Sequence, residues 1–357
     1  MELYEYARPD VMAGKKILYI HGFASSGQTG TVRTLRTLLP SCTVVAPDVP
    51  VEPSEALPML KTLCQSESPD LIIGASMGGM YAEQLRGYDR ILVNPAFALA
   101  DTLLKNNGLG RQEFHNPRQD GATSFLVTKG LLEAFREVSS HCFEGVGEVN
   151  AAYPSEGEWS EEQGRVWGLF GKHDPLVDTY SSFAAHYPNA IRYDGEHYLN
   201  DKAVLYSLLP LIARVDFAQE GRVRKSIFIS LEDTLADVRH LASGEPVRAA
   251  MPENSAVKAF RHLGERYDVW ILASAPYNMP SRWQDAVLWA DEHIGVPAWN
   301  KVLVSNRKDL VLGDYLIDKY PRRYGNGDFM GTFIQYGSDT FKTWEDILGF
   351  FDRLGGQ

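Results

Sequence analysis

The stretch Leu71-Ile-Ile-Gly74-Ala-Ser76-Met-Gly78 decides the reading of this chain. Three apolar residues lead into a serine with a glycine two positions away on each side, and a helix-like run from Gly79 to Leu85 follows. A serine raised on a sharp strand-to-helix turn needs those glycines, because the backbones that cross there leave no room for Cβ atoms. The helix behind it aims free N–H groups at the site, which favours negative charge on a reacting oxygen. The strand before and the helix after separate this GxSxG from a chance match. Ser76 is therefore the candidate nucleophile.

Outward from this point, short apolar runs recur at 16–20, 43–46, 91–94, 166–170 and 190–193. They are nearly continuous rather than alternating, as parallel strands covered on both faces by helices are. The segment of about 97–165 is rich in Gly, Asn and Glu and too long for a plain connection, so a lid with its own helices is expected. A polar stretch, 216–224, reads as a linker. A second series of apolar runs follows at 226–229, 269–273, 302–304, 315–317 and 332–336. The expectation is an α/β class throughout: an α/β-hydrolase fold with a parallel-sheet core over 1–215, then a Rossmann-like α/β domain over 225–357.

Composition sets outer limits. A chain of 357 residues suggests two domains of about 100–200 residues each. A formal net charge of -11 repels a polyanion, so no nucleic-acid partner is expected. Cys42, Cys64 and Cys142 are far apart and form no CxxC pair, which suggests neither a zinc site nor a disulfide framework and fits a reducing compartment. The acidic N-terminus lacks the apolar region of a signal peptide, and no apolar run reaches the roughly 18 residues that span a bilayer. A cytoplasmic protein is expected. Trp283, Trp289 and Trp299 read as core, and the acidic stretch 155–162 as a solvated loop.

A serine hydroxyl needs a base to take its proton. In this fold the chain order is serine, acid, histidine, which sets aside His21. Asp174 follows one predicted strand and His197 the next, so both land on neighbouring strand ends. His173, His186, Asp178 and Glu196 compete. The turn Ile20-His21-Gly22-Phe23 follows the first strand, and the Phe23 and Met77 backbone N–H groups are the candidate oxyanion hole.

With these residues in view, a family resemblance appears. The run Ile17-Leu-Tyr-Ile-His-Gly-Phe-Ala-Ser-Ser26, Gly74-Ala-Ser-Met-Gly-Gly79, Val93-Asn-Pro-Ala96 and Gly195-Glu-His197 resemble the YqiA/YcfP-type small esterases of the α/β-hydrolase superfamily, over roughly 15–213. The resemblance implies hydrolysis of a small-molecule carboxylic ester or thioester through an acyl-serine, with no cofactor and no metal.

The second half resembles the haloacid-dehalogenase (HAD) superfamily, in particular its deoxyribonucleotidase-like members. The residues that carry this are Ile227-Phe-Ile-Ser230-Leu-Glu232-Asp-Thr-Leu-Ala-Asp237, Ser274, Asn306-Arg-Lys308, Gly313-Asp314-Tyr-Leu-Ile-Asp318-Lys319 and Trp344-Glu-Asp346. The resemblance implies an aspartate nucleophile and an aspartate acid/base, where this chain has Ser230 and Glu232. Asp314, Asp318 and Lys319 are the other altered or remnant acidic positions, and Ser274 and Lys308 match phosphate-binding ones. A Mg²⁺ site needs hard oxygen ligands, and Ser230 removes one. Lys319 is expected to place its ammonium where the metal would sit, paired with Glu232 or Asp318. A pseudophosphatase without metal is the resulting expectation. Two other readings stay open: a non-catalytic binding or regulatory protein, and a nucleotidase working in the second domain.

Overall fold

In the computed structural model, which describes residues 2–106, 108–149, 159–221, 223–242, 244–276 and 279–355, the apolar runs pair into two separate parallel sheets. The chain divides into two units, Met1–Asp216 and Phe217–Gln357.

The first unit is built on β1 (Lys16–Ile20), β2 (Thr43–Val45), β3 (Leu71–Ala75), β4 (Arg90–Val93), a short hairpin of β5 (Gly110–Glu113) and β6 (Ser124–Val127), β7 (Val166–Gly171) and β8 (Asn189–Tyr193). Six of these form one sheet in the order β2-β1-β3-β4-β7-β8, every pair parallel. Apolar side chains on both faces explain the unbroken runs: Ile17, Leu18, Ile20, Ile72, Ile73, Ile91 and Leu92 are all fully buried. The strand order reverses between β1 and β3, and a crevice opens beyond the carboxyl ends at such a point. The elbow serine follows β3 and the Phe23 turn follows β1, so both border that crevice.

The segment 97–165, expected as a lid, contains helices Leu99–Asn106, Lys129–Ser140 and Glu161–Gly164 among its described residues. Thr128 caps the second of these by accepting from the Leu131 N–H at 3.0 Å. The β5–β6 hairpin was not among the sequence expectations. Residues 155–158 of the acidic stretch lie outside the described residues, and Glu161 and Glu162 at its end open a helix rather than continue a loop.

The stretch 216–224, expected as a linker, is helical through Glu220 as the end of helix Leu209–Glu220. Asp216 is buried, accepting from the Met12 N–H at 3.0 Å and pairing with Lys15 at 2.6 Å, both in the first unit.

The second unit has β9 (Ser226–Ser230), β10 (Ala236–Asp237), β11 (Met251–Pro252), β12 (Asp268–Ala273), β13 (Val302–Val304), β14 (Tyr315–Asp318) and β15 (Thr332–Gln335). Its five-stranded sheet runs β13-β12-β9-β14-β15, again all parallel, with the reversal between β9 and β14. Trp289 and Trp344 are buried in its core, whereas Trp283, expected there, is exposed on its helix. No helix among the described residues is long and apolar enough to cross a membrane.

Candidate active site

Ser76 stands at φ 53° and ψ -114°, a conformation that a non-glycine residue adopts only under constraint. The constraint is visible in the glycines. A Cβ on Gly74 would lie 2.3 Å from the Gly78 carbonyl oxygen, and one on Gly78 would lie 2.1 Å from the Ile20 oxygen. The elbow is thus pressed against the end of β1, and a Cβ on Gly22 would sit 3.3 Å from the Ser76 Cβ.

His197 Nε2 lies 3.0 Å from Ser76 Oγ, and His197 Nδ1 lies 2.7 Å from Asp174 Oδ2. The His197 and Asp174 side chains are 5% and 4% exposed. The other Asp174 oxygen accepts the Leu176 and Val177 N–H groups at 2.8 and 3.1 Å, which fixes the carboxylate. A carboxylate on Nδ1 places the proton there and leaves the Nε2 lone pair facing the serine. Of the competing residues, His173 pairs with Asp194 at the surface and His186 stacks on Phe143. Asp174 is the acid that meets His197, rather than Asp178 or Glu196. The exposed ring of Tyr198 stands edge-on to the imidazole, centroids 5.1 Å apart.

Neither the Phe23 nor the Met77 amide donates to another backbone group in the turns and loops of the described residues. The loop that carries Phe23 is fastened at many points. Buried His21 accepts the Val49 N–H on Nε2 at 2.9 Å, and its Nδ1 lies 2.8 Å from the Gly22 oxygen. Burial pushes this imidazole down to about 4, with the nearby Arg118 charge adding to the effect. The ring is neutral at pH 7, donating from Nδ1. Arg118, from the loop between β5 and β6, donates to the Ser25 and Val49 oxygens. The His115 N–H reaches the Ala24 oxygen at 2.8 Å, and Asp48 accepts from both Gly27 and Gln119. Phe23 packs edge-on against Phe125 of β6. The sequence reading missed all of these lid contacts. No local signal could have supplied them, since they join segments about 70–100 residues apart.

The second unit has its own cluster at the carboxyl ends of β9, β12 and β14. Lys308, 1% exposed, donates to Ser230 Oγ and Asp318 Oδ2, each at 2.7 Å. Ser230 also donates to Asp318, whose second oxygen accepts the Tyr320 N–H. Glu232 accepts from the Ser274 N–H at 3.0 Å and lies 3.6 Å from an Arg282 nitrogen. Two expectations are corrected here. The cation on Asp318 is Lys308, not Lys319, because successive side chains of an extended chain point to opposite sides. Asp314 is no part of the cluster: it accepts from Ser226 N–H and Oγ, at the opposite end of β9. Ser274 and Lys308, the expected anion-binding pair, are each engaged by a carboxylate of the chain itself. The donor set does not fit a divalent cation. Both Asp318 oxygens are taken and the strand-end residue is a neutral hydroxyl, while among the described residues no three His, Cys, Asp or Glu side chains converge as ligands would.

Residues 16–205, just over half of the chain, match the model of the uncharacterised protein family UPF0227. The chain belongs to that family. Residues 232–347 match the family described as 5' nucleotidase, deoxy (pyrimidine), cytosolic type C protein, a match that begins after Ser230. The chain is therefore a UPF0227 unit followed by a second unit whose residues 232–347 are similar to the cytosolic deoxynucleotidases. A candidate 5'(3')-deoxyribonucleotidase of Vibrio phage KVP40 is 36% identical over 99 residues, 28% of this chain and 58% of the phage protein. The chain thus spans under two thirds of that relative. Among solved structures, Est1E from Butyrivibrio proteoclasticus aligns at 14% identity and TM-score 0.39, over 58% of this chain and 89% of its own. The thioesterase domain from the curacin biosynthetic pathway aligns at 17% and 0.31, over 59% and 92%.

Proposed function

We propose that the UPF0227 unit is a serine hydrolase that cleaves a small-molecule carboxylic ester or thioester through an acyl-serine. The observation that carries this is the continuous chain Asp174–His197–Ser76 at 2.7 and 3.0 Å. His197 Nε2 takes the Ser76 hydroxyl proton as the oxygen attacks the carbonyl carbon. The carbonyl oxygen becomes an oxyanion facing the Phe23 and Met77 amides, and Asp174 holds the imidazolium. The imidazolium then returns its proton to the departing alkoxide or thiolate. Water, deprotonated by the same histidine, attacks the acyl-serine, and the acid leaves as Ser76 regains its proton. A cytoplasmic setting is part of the proposal, supported by three cysteines that are all free thiols.

The test is hydrolysis of a chain-length series of p-nitrophenyl esters by wild type and Ser76→Ala, with fluorophosphonate labelling alongside. Activity and labelling that vanish in Ser76→Ala support the reading, and the preferred chain length sizes the pocket. A wild type that neither hydrolyses nor labels overturns it in favour of a binding protein.

For the second unit we propose a pseudophosphatase without metal. The observation favouring it is that Ser230, Lys308 and Asp318 satisfy one another while Glu232 occupies Ser274. Saturable Mg²⁺ binding, or phosphate release from deoxynucleoside monophosphates that Glu232→Ala abolishes, would overturn this and restore the nucleotidase reading.

A further inference from the structure

The run Val93-Asn-Pro-Ala96 ends β4, between the strand that carries the serine and the strand that carries the acid. Asn94 is 2% exposed and stands at φ 43°, a left-handed conformation that asparagine tolerates better than most residues. Its side-chain oxygen accepts the Gly171 N–H at 2.7 Å, three residues before Asp174. Its side-chain nitrogen donates to the backbone oxygens of His197 at 2.9 Å and Glu196 at 3.0 Å. One amide therefore grips the base-bearing loop and the acid-bearing loop together. The flanking residues hold the remaining parts. The Pro95 oxygen accepts from Thr179 Oγ at 2.7 Å, beyond Asp174. The Ser76 N–H donates to the Val93 oxygen at 2.9 Å, and the Ala96 N–H to the Ser76 oxygen at 3.0 Å.

We propose that Asn94 is a positioning residue for the hydrolase chemistry, setting the acid and base loops in register with the nucleophile. The proposal rests on the serine-hydrolase reading above. A carboxamide is the side chain that suits the place, because it offers an acceptor to one loop and donors to the other. Aspartate has the same shape but would turn an oxygen toward two carbonyl oxygens. Alanine leaves the Gly171 amide and the His197 oxygen without this partner, while the Glu196 oxygen keeps the Tyr193 hydroxyl at 2.8 Å, and it removes the side chain that ties the two loops together. A misplacement of about 1 Å costs on the order of 10²-fold in rate.

The experiment measures kcat and KM of wild type, Asn94→Ala and Asn94→Asp on the best p-nitrophenyl ester. Active sites are counted by fluorophosphonate titration, so that kcat is expressed per competent site. The expected result is kcat per site lowered about 100-fold in Asn94→Ala and at least as much in Asn94→Asp, with KM within about twofold of wild type. A merely structural role would reduce the number of titratable sites and leave kcat per site intact, and that result overturns the proposal. Should Asn94→Ala not fold, Asn94→Ser is read by the same criterion. A wild type that neither labels nor turns over overturns the hydrolase reading and this proposal together. An active wild type with an equally active Asn94→Ala overturns this proposal alone.

Discussion

Lowering the pH should destabilise the UPF0227 unit through His21, and the size of the effect follows from its surroundings. The imidazole is 2% exposed, accepts one backbone N–H and donates toward the Gly22 oxygen, so protonation would place a donor against the Val49 N–H in a dry site beside the Arg118 charge. In the unfolded chain this histidine titrates near 6.5, and in the fold near 4. Between those values the unfolded state binds a proton that the native state refuses, so stability falls as pH falls through this window and is full above it. Across the whole window the loss is about 3 kcal/mol. His21→Gln keeps an acceptor for the Val49 N–H and cannot titrate. The assay is urea unfolding of both proteins at pH 7.5, 6.5, 5.5 and 4.5, read as the difference between them, which removes the other histidines from the comparison. The variant should be the less stable protein at pH 7.5, and the gap should shrink by roughly 2–3 kcal/mol toward pH 4.5. A gap that stays constant with pH refutes a neutral, proton-refusing His21.

Two further outcomes are expected. Gly78→Ala would set a Cβ 2.1 Å from the Ile20 oxygen and 2.8 Å from the His21 oxygen, so the elbow and the Phe23 turn must part; ester hydrolysis should fall at least about 100-fold per folded molecule, judged by kcat on protein with a wild-type circular dichroism spectrum. Lys308→Met would leave the buried Asp318 carboxylate without its cation, which typically costs roughly 3–5 kcal/mol; tryptophan fluorescence of the second unit during urea unfolding measures it, and pairing the change with Asp318→Leu should restore most of the loss.

Much of this site can be read along the chain because each part sits at a strand end and strand ends are local. The apolar run before Ser76, the glycines on either side of it, and the order serine, aspartate, histidine need no long-range knowledge. The hairpin of β5 and β6 gives no such signal: each strand is four residues, and the ten residues between them contain no two-residue turn. Lys319 drew the reading toward Asp318 because it is adjacent in sequence, yet a neighbour on an extended chain points the other way, and Lys308 arrives from a separate helical turn. Asp314 belongs to the run that carries the haloacid-dehalogenase resemblance, but the length of β14 separates it from Asp318. Asn94 belongs to a quoted motif and had no assigned role, since its partners lie 77 to 103 residues onward.

The fastening of the 114–119 loop to the Phe23 turn bears on which positions of this chain can be varied. Residues 114–119 hold the Phe23 turn directly through His115, Asn116 and Arg118, and through Gln119 by way of the Asp48 carboxylate that it shares with Gly27. On the proposed hydrolase reading, a substitution there would disturb the loop and the turn beside Ser76 at once. The outward face of β6, where Leu126 stands free in solvent, carries no such tie. A library that varies the hairpin's outer face should therefore keep more folded, active members than one that varies its connecting loop.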